Sequence, residues 1–185
     1  MKIIFIYILF SLLLPRVFAK EFSGSVRNKF NNFIGYTSLV ATKDVTGEQI
    51  AFAADRGGDF SVTLSEGTWT ITADKDQISE WGYASLEDYQ IIIEEGIPLT
   101  QNIILYARTP LEPPHLIINF NIKDKSITYI LKGQGGTRMT IFKSTDLDSW
   151  TPIYSRATAK GQLSYGTSYS YSLSPVFFKI VSSTE

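Results

Sequence analysis

The chain has 185 residues, 44% of them hydrophobic, no cysteine and a formal net charge of -1. That length holds one domain or two small ones. The missing thiols exclude disulfides, a lipid-modified cysteine, thiol catalysis and metal sites built on thiolates, so apolar packing and sheet hydrogen bonds must supply the stability.

Residues 1–19 open with Met1-Lys2, continue through an uncharged apolar run from Ile3 to Leu14, and end in Val17-Phe18-Ala19. This is the layout of a secretory signal peptide cut after Ala19, and it predicts a periplasmic or extracellular location. The apolar core is shorter than the roughly 20 residues a span requires, so stable membrane insertion is not expected. Without Lys2 and Arg16, the 17 Lys+Arg fall to 15 against 18 Asp+Glu. No basic block or stripe remains to follow a phosphate backbone, and nucleic acid is not an expected partner. There is no Asn-x-Ser/Thr acceptor.

From Lys20 onward the hydrophobic period is two. Strands are predicted at Phe22–Val26, Thr37–Thr42 and Gln49–Ala53. Next, Phe60, Val62 and Leu64 alternate with Ser61, Thr63 and Ser65, and Trp69, Ile71 and Ala73 alternate with Thr68, Thr70 and Thr72. Each run has one apolar and one hydroxyl-bearing face, the pattern of a half-buried antiparallel strand. Ser65-Glu66-Gly67 between them is predicted to be a hairpin turn, with Gly67 free to take positive φ. Residues 76–88 are the one stretch whose pattern allows a helical turn, but the polar residues around Trp81-Gly82-Tyr83 favour a loop, which is the prediction. Strands follow at Tyr89–Ile93 and Leu99–Tyr106.

Thr109 to Pro114 contains three prolines, which remove amide donors and hold the chain extended, so this segment is the predicted linker. Beyond it, strands are predicted at Leu116–Ile122, Ser126–Leu131, Arg138–Lys143, Thr151–Ser155, Gln162–Tyr165 and Pro175–Val181. Many short strands with no long amphipathic helix indicate an all-β chain. The predicted organisation is a signal peptide at 1–19, an antiparallel β-sandwich at 20–108, the linker at 109–114 and a second small β-sandwich-like domain at 115–185. The second is near the size limit for independent stability and is expected to lean on the first.

Several short motifs in the first half occur in a fixed order. They are Gly24-x-Val26, then Asp55, Gly58 and Phe60 in an Asp-x-x-Gly-x-Phe turn, then Gly67, Trp69 and Ile71 in Gly-x-Trp-x-Ile, then Gly82-Tyr83 followed by Gln90 to Ile93. Over Phe22 to Tyr106 the chain resembles the carboxypeptidase regulatory-like, transthyretin-like β-sandwich family, with Ala54 where a threonine is usual. The resemblance implies an accessory, spacer or binding module rather than a catalytic one. Physically, Asp55 can accept turn amides, Gly58 can supply the backbone angle, Phe60 can fill the core, and Trp69 lies on the apolar face of its strand.

In the second half, Arg138-x-x-Ile141-x-Lys143-Ser144-Thr145-Asp146-Leu147-x-x-Trp150 precedes Gly161-x-Leu163 and Pro175-x-Phe177-Phe178-x-Ile180. This is similar to a C-terminal β-rich module of extracytoplasmic bacterial proteins with a Ser-Thr-Asp-Leu-x-x-Trp signature. Lys179 stands where arginine is common, and Gly166-Thr167-Ser168 replaces the usual acidic residue. Asp146 is expected to cap its turn, with Trp150 packed on Phe177 or Phe178.

Little in the sequence points to catalysis. His115 is the only histidine, no Gly-x-Ser-x-Gly elbow supports a nucleophile, and no Gly-rich phosphate loop precedes a helix. No cofactor or metal is expected, since Asp55 and Asp59 lack further oxygen ligands at metal-loop spacing. Glycoside hydrolysis needs only two carboxylates, but Glu94-Glu95, Asp74 with Asp76, and Glu66 flank turns and read as solvated. Binding is better supported. Trp81 and Tyr83 in the long loop, and Tyr165, Tyr169 and Tyr171 in the Ser/Tyr-rich stretch, offer flat faces for a sugar or a protein. The expected function is therefore an exported, non-catalytic protein that binds a polysaccharide or cell-envelope protein through loop aromatics. The alternatives are a structural or adhesive protein docking through sheet edges and, less favoured, a carboxylate-based glycosidase.

Overall fold

The computed structural model describes residues 19–86, 89–94, 99–121, 123–168 and 175–185. They form two tandem antiparallel β-sandwiches with a single short helix among the described residues. In chain order the first contains β1 (Ala19–Asn28), β2 (Ser38–Lys43), β3 (Gln49–Ala53), β4 (Asp59–Ser65), β5 (Gly67–Ala73), α1 (Lys75–Glu80), β6 (Tyr89–Ile93), β7 (Leu99–Thr100) and β8 (Ile103–Leu105). The second contains β9 (His115–Asn121), β10 (Ser126–Lys132), β11 (Arg138–Ser144), β12 (Thr151–Ala157), β13 (Gln162–Ser168) and β14 (Phe177–Ser183).

In the first sandwich the sheet β4-β1-β7, joined by β8, faces the sheet β3-β2-β5-β6. Phe22, Val26, Phe60 and Leu64 from one sheet meet Leu39, Trp69, Ile71, Ile91 and Ile93 from the other, all buried. Phe60 sits between Phe22 and Phe52, with ring centroids 5.0 and 5.6 Å away in tilted geometry. Trp69 is fully buried and its indole nitrogen donates to the Ser65 carbonyl at 2.8 Å.

The predicted hairpin at Ser65-Glu66-Gly67 is an arch instead. β4 pairs with β1, whereas β5 pairs with β2 and β6, so the turn carries the chain from one sheet to the other. Alternating runs look the same in either case, because both geometries place one face of each strand on the core. Gly67 takes φ 128° in this turn.

β7 and β8 depart from antiparallel pairing by running parallel to β1, and the strand predicted over Leu99–Tyr106 breaks between them. At the break Asn102 accepts hydrogen bonds from the Ser25 amide at 3.1 Å and the Ser25 hydroxyl at 2.8 Å. Gly24 lies against this crossing, where a Cβ would fall 2.0 Å from the Gln101 carbonyl oxygen. Close approach of two backbones thus explains glycine at the start of the Gly-x-Val motif.

Part of the segment predicted as loop is helical. Asp74 caps α1 by accepting from the Gln77 amide at 3.0 Å. Ile78 is the buried residue of the helix, too little apolar surface to register as a 3.6-residue period. The Asp-x-x-Gln spacing was the available signal.

The second sandwich packs sheet β13-β10-β9 against sheet β12-β11-β14. Its buried centre is Ile127, Tyr129, Leu131, Met139 and Ile141. Phe178 packs on Tyr129 at 5.3 Å, while Lys179 lies 4.3 Å from the centre of the Trp150 ring. Asp146 organises the preceding turn, with Oδ1 accepting from the Ser149 amide at 2.8 Å, the Asp148 amide at 2.9 Å and the Ser144 hydroxyl at 2.9 Å. These donors hold its carboxyl down at about 2, with the Ser149 amide contributing most.

The sandwiches meet in a polar seam built around Tyr83. Its hydroxyl donates to the Ala159 carbonyl at 2.5 Å, and Asn28 Nδ2 donates to the Thr158 carbonyl at 3.1 Å. The Gly135 amide donates to the Trp81 carbonyl at 2.7 Å, and Gln134 Nε2 donates to the Gly82 carbonyl at 2.7 Å. Glycines permit this closeness. A Cβ at Gly135 would lie 2.4 Å from the Trp81 carbonyl oxygen, and one at Gly136 would lie 2.7 Å from the Tyr83 ring. Each buried hydrogen bond adds ~0.5–1.5 kcal/mol net, and orphaning a partner costs more.

Candidate functional site

Residues predicted to form an exposed aromatic surface take other positions. Tyr83 is 1% exposed and lies in the seam, so neither ring face is open to a ligand. Burial pushes its phenol up to about 12, against smaller opposing effects from hydrogen bonds. Trp81 is half-buried against the first core, and Lys160 covers one face with its ammonium 3.8 Å from the ring centre. Tyr165 is stacked between Tyr154 at 4.5 Å and Tyr129 at 5.8 Å, as part of the second core. Tyr169 and Tyr171 lie outside the described residues.

Two aromatics that do face solvent beside the seam are Phe33 at 47% and Tyr36 at 59% exposure. They belong to the connection between β1 and β2, which Asn28 shapes: its Oδ1 accepts from the Phe30 amide at 3.0 Å and the Asn32 amide at 3.1 Å. Asn31 and Tyr36 take φ 63° and 62°, a left-handed conformation that Asn tolerates well and Tyr seldom adopts. The sequence signal was an Asn-rich turn with embedded aromatics, Asn28 to Tyr36, which the strand pattern passes over.

Between this connection and the β12–β13 turn lies an open cleft of about 450 Å³. Asn32 and Phe33 form one wall, and Tyr154, Arg156, Lys160, Gln162 and Ser164 contribute to the other. The seam sets the spacing of the walls, because Thr158 and Ala159 both line the cleft and accept the hydrogen bonds from Asn28 and Tyr83. β12 and β13 are edge strands of opposed sheets, which is why the second sandwich opens here.

Asn32 Nδ2 is buried with no hydrogen-bond partner among the described residues. A donor left in that state costs ~1–3 kcal/mol. Lys160 is held between rings, 3.8 Å from Trp81 and 5.7 Å from Tyr36, and partial burial lowers its pKa from the ordinary lysine value. Among the described residues the cleft wall holds no carboxylate, so two-carboxylate hydrolysis has no machinery in it. Asp55, the turn aspartate, is engaged by the Asp59 amide at 3.0 Å, and no group of three His, Cys, Asp or Glu among the described residues could hold a metal. No described helix is long and apolar enough to cross a membrane.

No family model matches the chain, and no curated protein matches it. Among solved structures it is similar to a DUF3823 family protein from Bacteroides ovatus, with 10% identity, a TM-score of 0.40, and coverage of 89% of this chain and 90% of that one. It is also similar to the Bacillus anthracis TIE protein, with 13% identity, a TM-score of 0.42, and coverage of 88% and 28%. A Streptococcal ancillary pilin shows 11% identity and a TM-score of 0.39 over 82% of this chain and 51% of that chain.

Proposed function

We propose that this is an exported, non-catalytic β-sandwich protein that binds a glycan or a cell-envelope protein in the cleft beside its seam. The observation that carries the reading is that one cleft takes walls from both sandwiches and combines exposed aromatic, cationic and amide groups. Such a mixture suits ligand recognition. The first sandwich, at 20–108, is a carboxypeptidase regulatory-like module in this reading, joined by residues 109–114 to a second at 115–185. The backbone approach at Gly24 and the Asp55 turn support that assignment. Trp81 serves the site by positioning Lys160, and Tyr165 by backing Tyr154. A glycan array and purified cell-wall sacculi test the reading, using the wild type and Tyr154→Ala. Binding that weakens in the variant supports it; no binding to either reagent defeats it.

A second reading, self-association through sheet edges, is favoured by β9. This edge strand exposes Ile117 at 41% and Phe120 at 63%, and an apolar edge invites pairing with another chain. Sedimentation tests it: a defined oligomer dispersed by Ile117→Lys supports this reading, and a monomer excludes it.

A further inference from the structure

The charge of the cleft identifies the ligand class more closely, building on the binding role proposed above. Arg156 and Lys160 stand in a wall that holds no Asp or Glu among the described residues. Beside them, Arg27 lies over Phe33 at 4.2 Å. Arg27 donates only to neutral acceptors, Ser25 Oγ at 2.7 Å and Asn31 Oδ1 at 2.6 Å. The one ion pair among the described residues is Arg108 with Glu112, so none of these three cations is paired with a described carboxylate. The chain as a whole carries a net charge of -1, so the cluster is a local feature and does not follow from composition.

Rings hold two of these cations in place, Phe33 under Arg27 and Trp81 under Lys160. A guanidinium or ammonium over an aromatic face is held electrostatically while its full charge remains available to an anion. The same wall presents Gln162, Ser164 and Thr158, with Asn32 opposite. These neutral groups match hydroxyls, and the exposed edge of the Phe33 ring, in the facing wall, matches the apolar face of a sugar ring. A run of Asp or Glu side chains offers no such apolar face.

We propose that the cleft binds a carboxylated glycan, with Arg156 and Lys160 taking uronate carboxylates and Asn32, Gln162 and Ser164 taking ring hydroxyls. Isothermal titration calorimetry with a galacturonate oligomer, its carboxyl-reduced neutral form and poly-glutamate tests this on the full protein. The galacturonate oligomer should bind, with the neutral form and poly-glutamate each at least tenfold weaker. The pair Arg156→Gln/Lys160→Gln should weaken galacturonate binding at least tenfold. Lys123→Gln/Lys125→Gln, the same charge change at the opposite end of β10, should leave it unchanged; circular dichroism checks that both pairs fold. No galacturonate binding, or an unaffected Arg156/Lys160 pair, overturns the proposal. Equal binding of the neutral form overturns the anionic preference while leaving the glycan-binding role in place. Poly-glutamate bound as tightly as galacturonate would assign the face to an acidic protein instead.

Discussion

The hydroxyl of Tyr83 donates a 2.5 Å hydrogen bond to the main-chain carbonyl of Ala159, linking the first sandwich to the turn that leads into β13. A phenol placed there by the loop after α1 thus sets one wall of the cleft. Removing the oxygen alone, in Tyr83→Phe, leaves the Ala159 carbonyl unpaired while the ring still fills the seam. The expected loss is ~1–3 kcal/mol, read from urea unfolding of wild type and variant at neutral pH. An unchanged midpoint would mean that the seam does not hold the sandwiches together.

The same phenol predicts an alkaline dependence. Its pKa is pushed up to about 12 by burial, against an ordinary value of 10.0. The folded state therefore holds the proton more tightly than the unfolded state, and the contribution is fully present below pH 10. It is lost as pH rises from about 10 to about 12, a fall on the order of 2–3 kcal/mol. Burial also raises Tyr89 and Tyr129, so the decisive quantity is the difference between wild type and Tyr83→Phe. That difference should shrink across this window, and a constant gap would reject the linkage.

Gly24→Ala tests the β1 crossing. The added methyl would lie 2.0 Å from the Gln101 carbonyl oxygen, which is main chain and has little room to yield. The expected cost is ~3 kcal/mol or more, visible as a lower urea midpoint with faster amide exchange at Gln101, whose amide donates to the Ser23 carbonyl at 2.9 Å.

Asp146 predicts an acid dependence of opposite sign. Its carboxyl is held down at about 2 by turn donors, so its contribution is present above the ordinary carboxylate value of 3.8 and disappears as pH falls through about 2. Asp146→Ala should lower the thermal midpoint at neutral pH, and the gap from wild type should close on acidification. A gap as large at pH 2 as at neutral pH would show that the turn does not depend on the ionised carboxylate.

How much of this was legible in the sequence depends on the range of the interactions. The strands were readable because alternation is local: Phe60, Val62 and Leu64, and then Trp69 and Ile71, announce their faces within a few residues. Their pairing was not, since an arch between sheets and a hairpin share that alternation. Tyr83 looked like an exposed loop aromatic because the residues that bury it, Gln134 to Gly136 and Ala159, lie far along the chain. The cleft was hidden for the same reason. Arg27, Arg156 and Lys160 are separated in sequence, and only the seam brings them to one side. Phe33 and Tyr36 were passed over because an Asn-rich turn breaks the alternation that marks strands.

The proposed binding site is the cleft beside the seam. Titrating the galacturonate oligomer into isotope-labelled protein and following amide shifts by NMR tests it most directly. Saturable shifts are predicted to gather at Asn32, Phe33, Arg156, Lys160 and Gln162, with the outer strand β3 unaffected. Shifts centred on β3 or β9, or none at all, would contradict it.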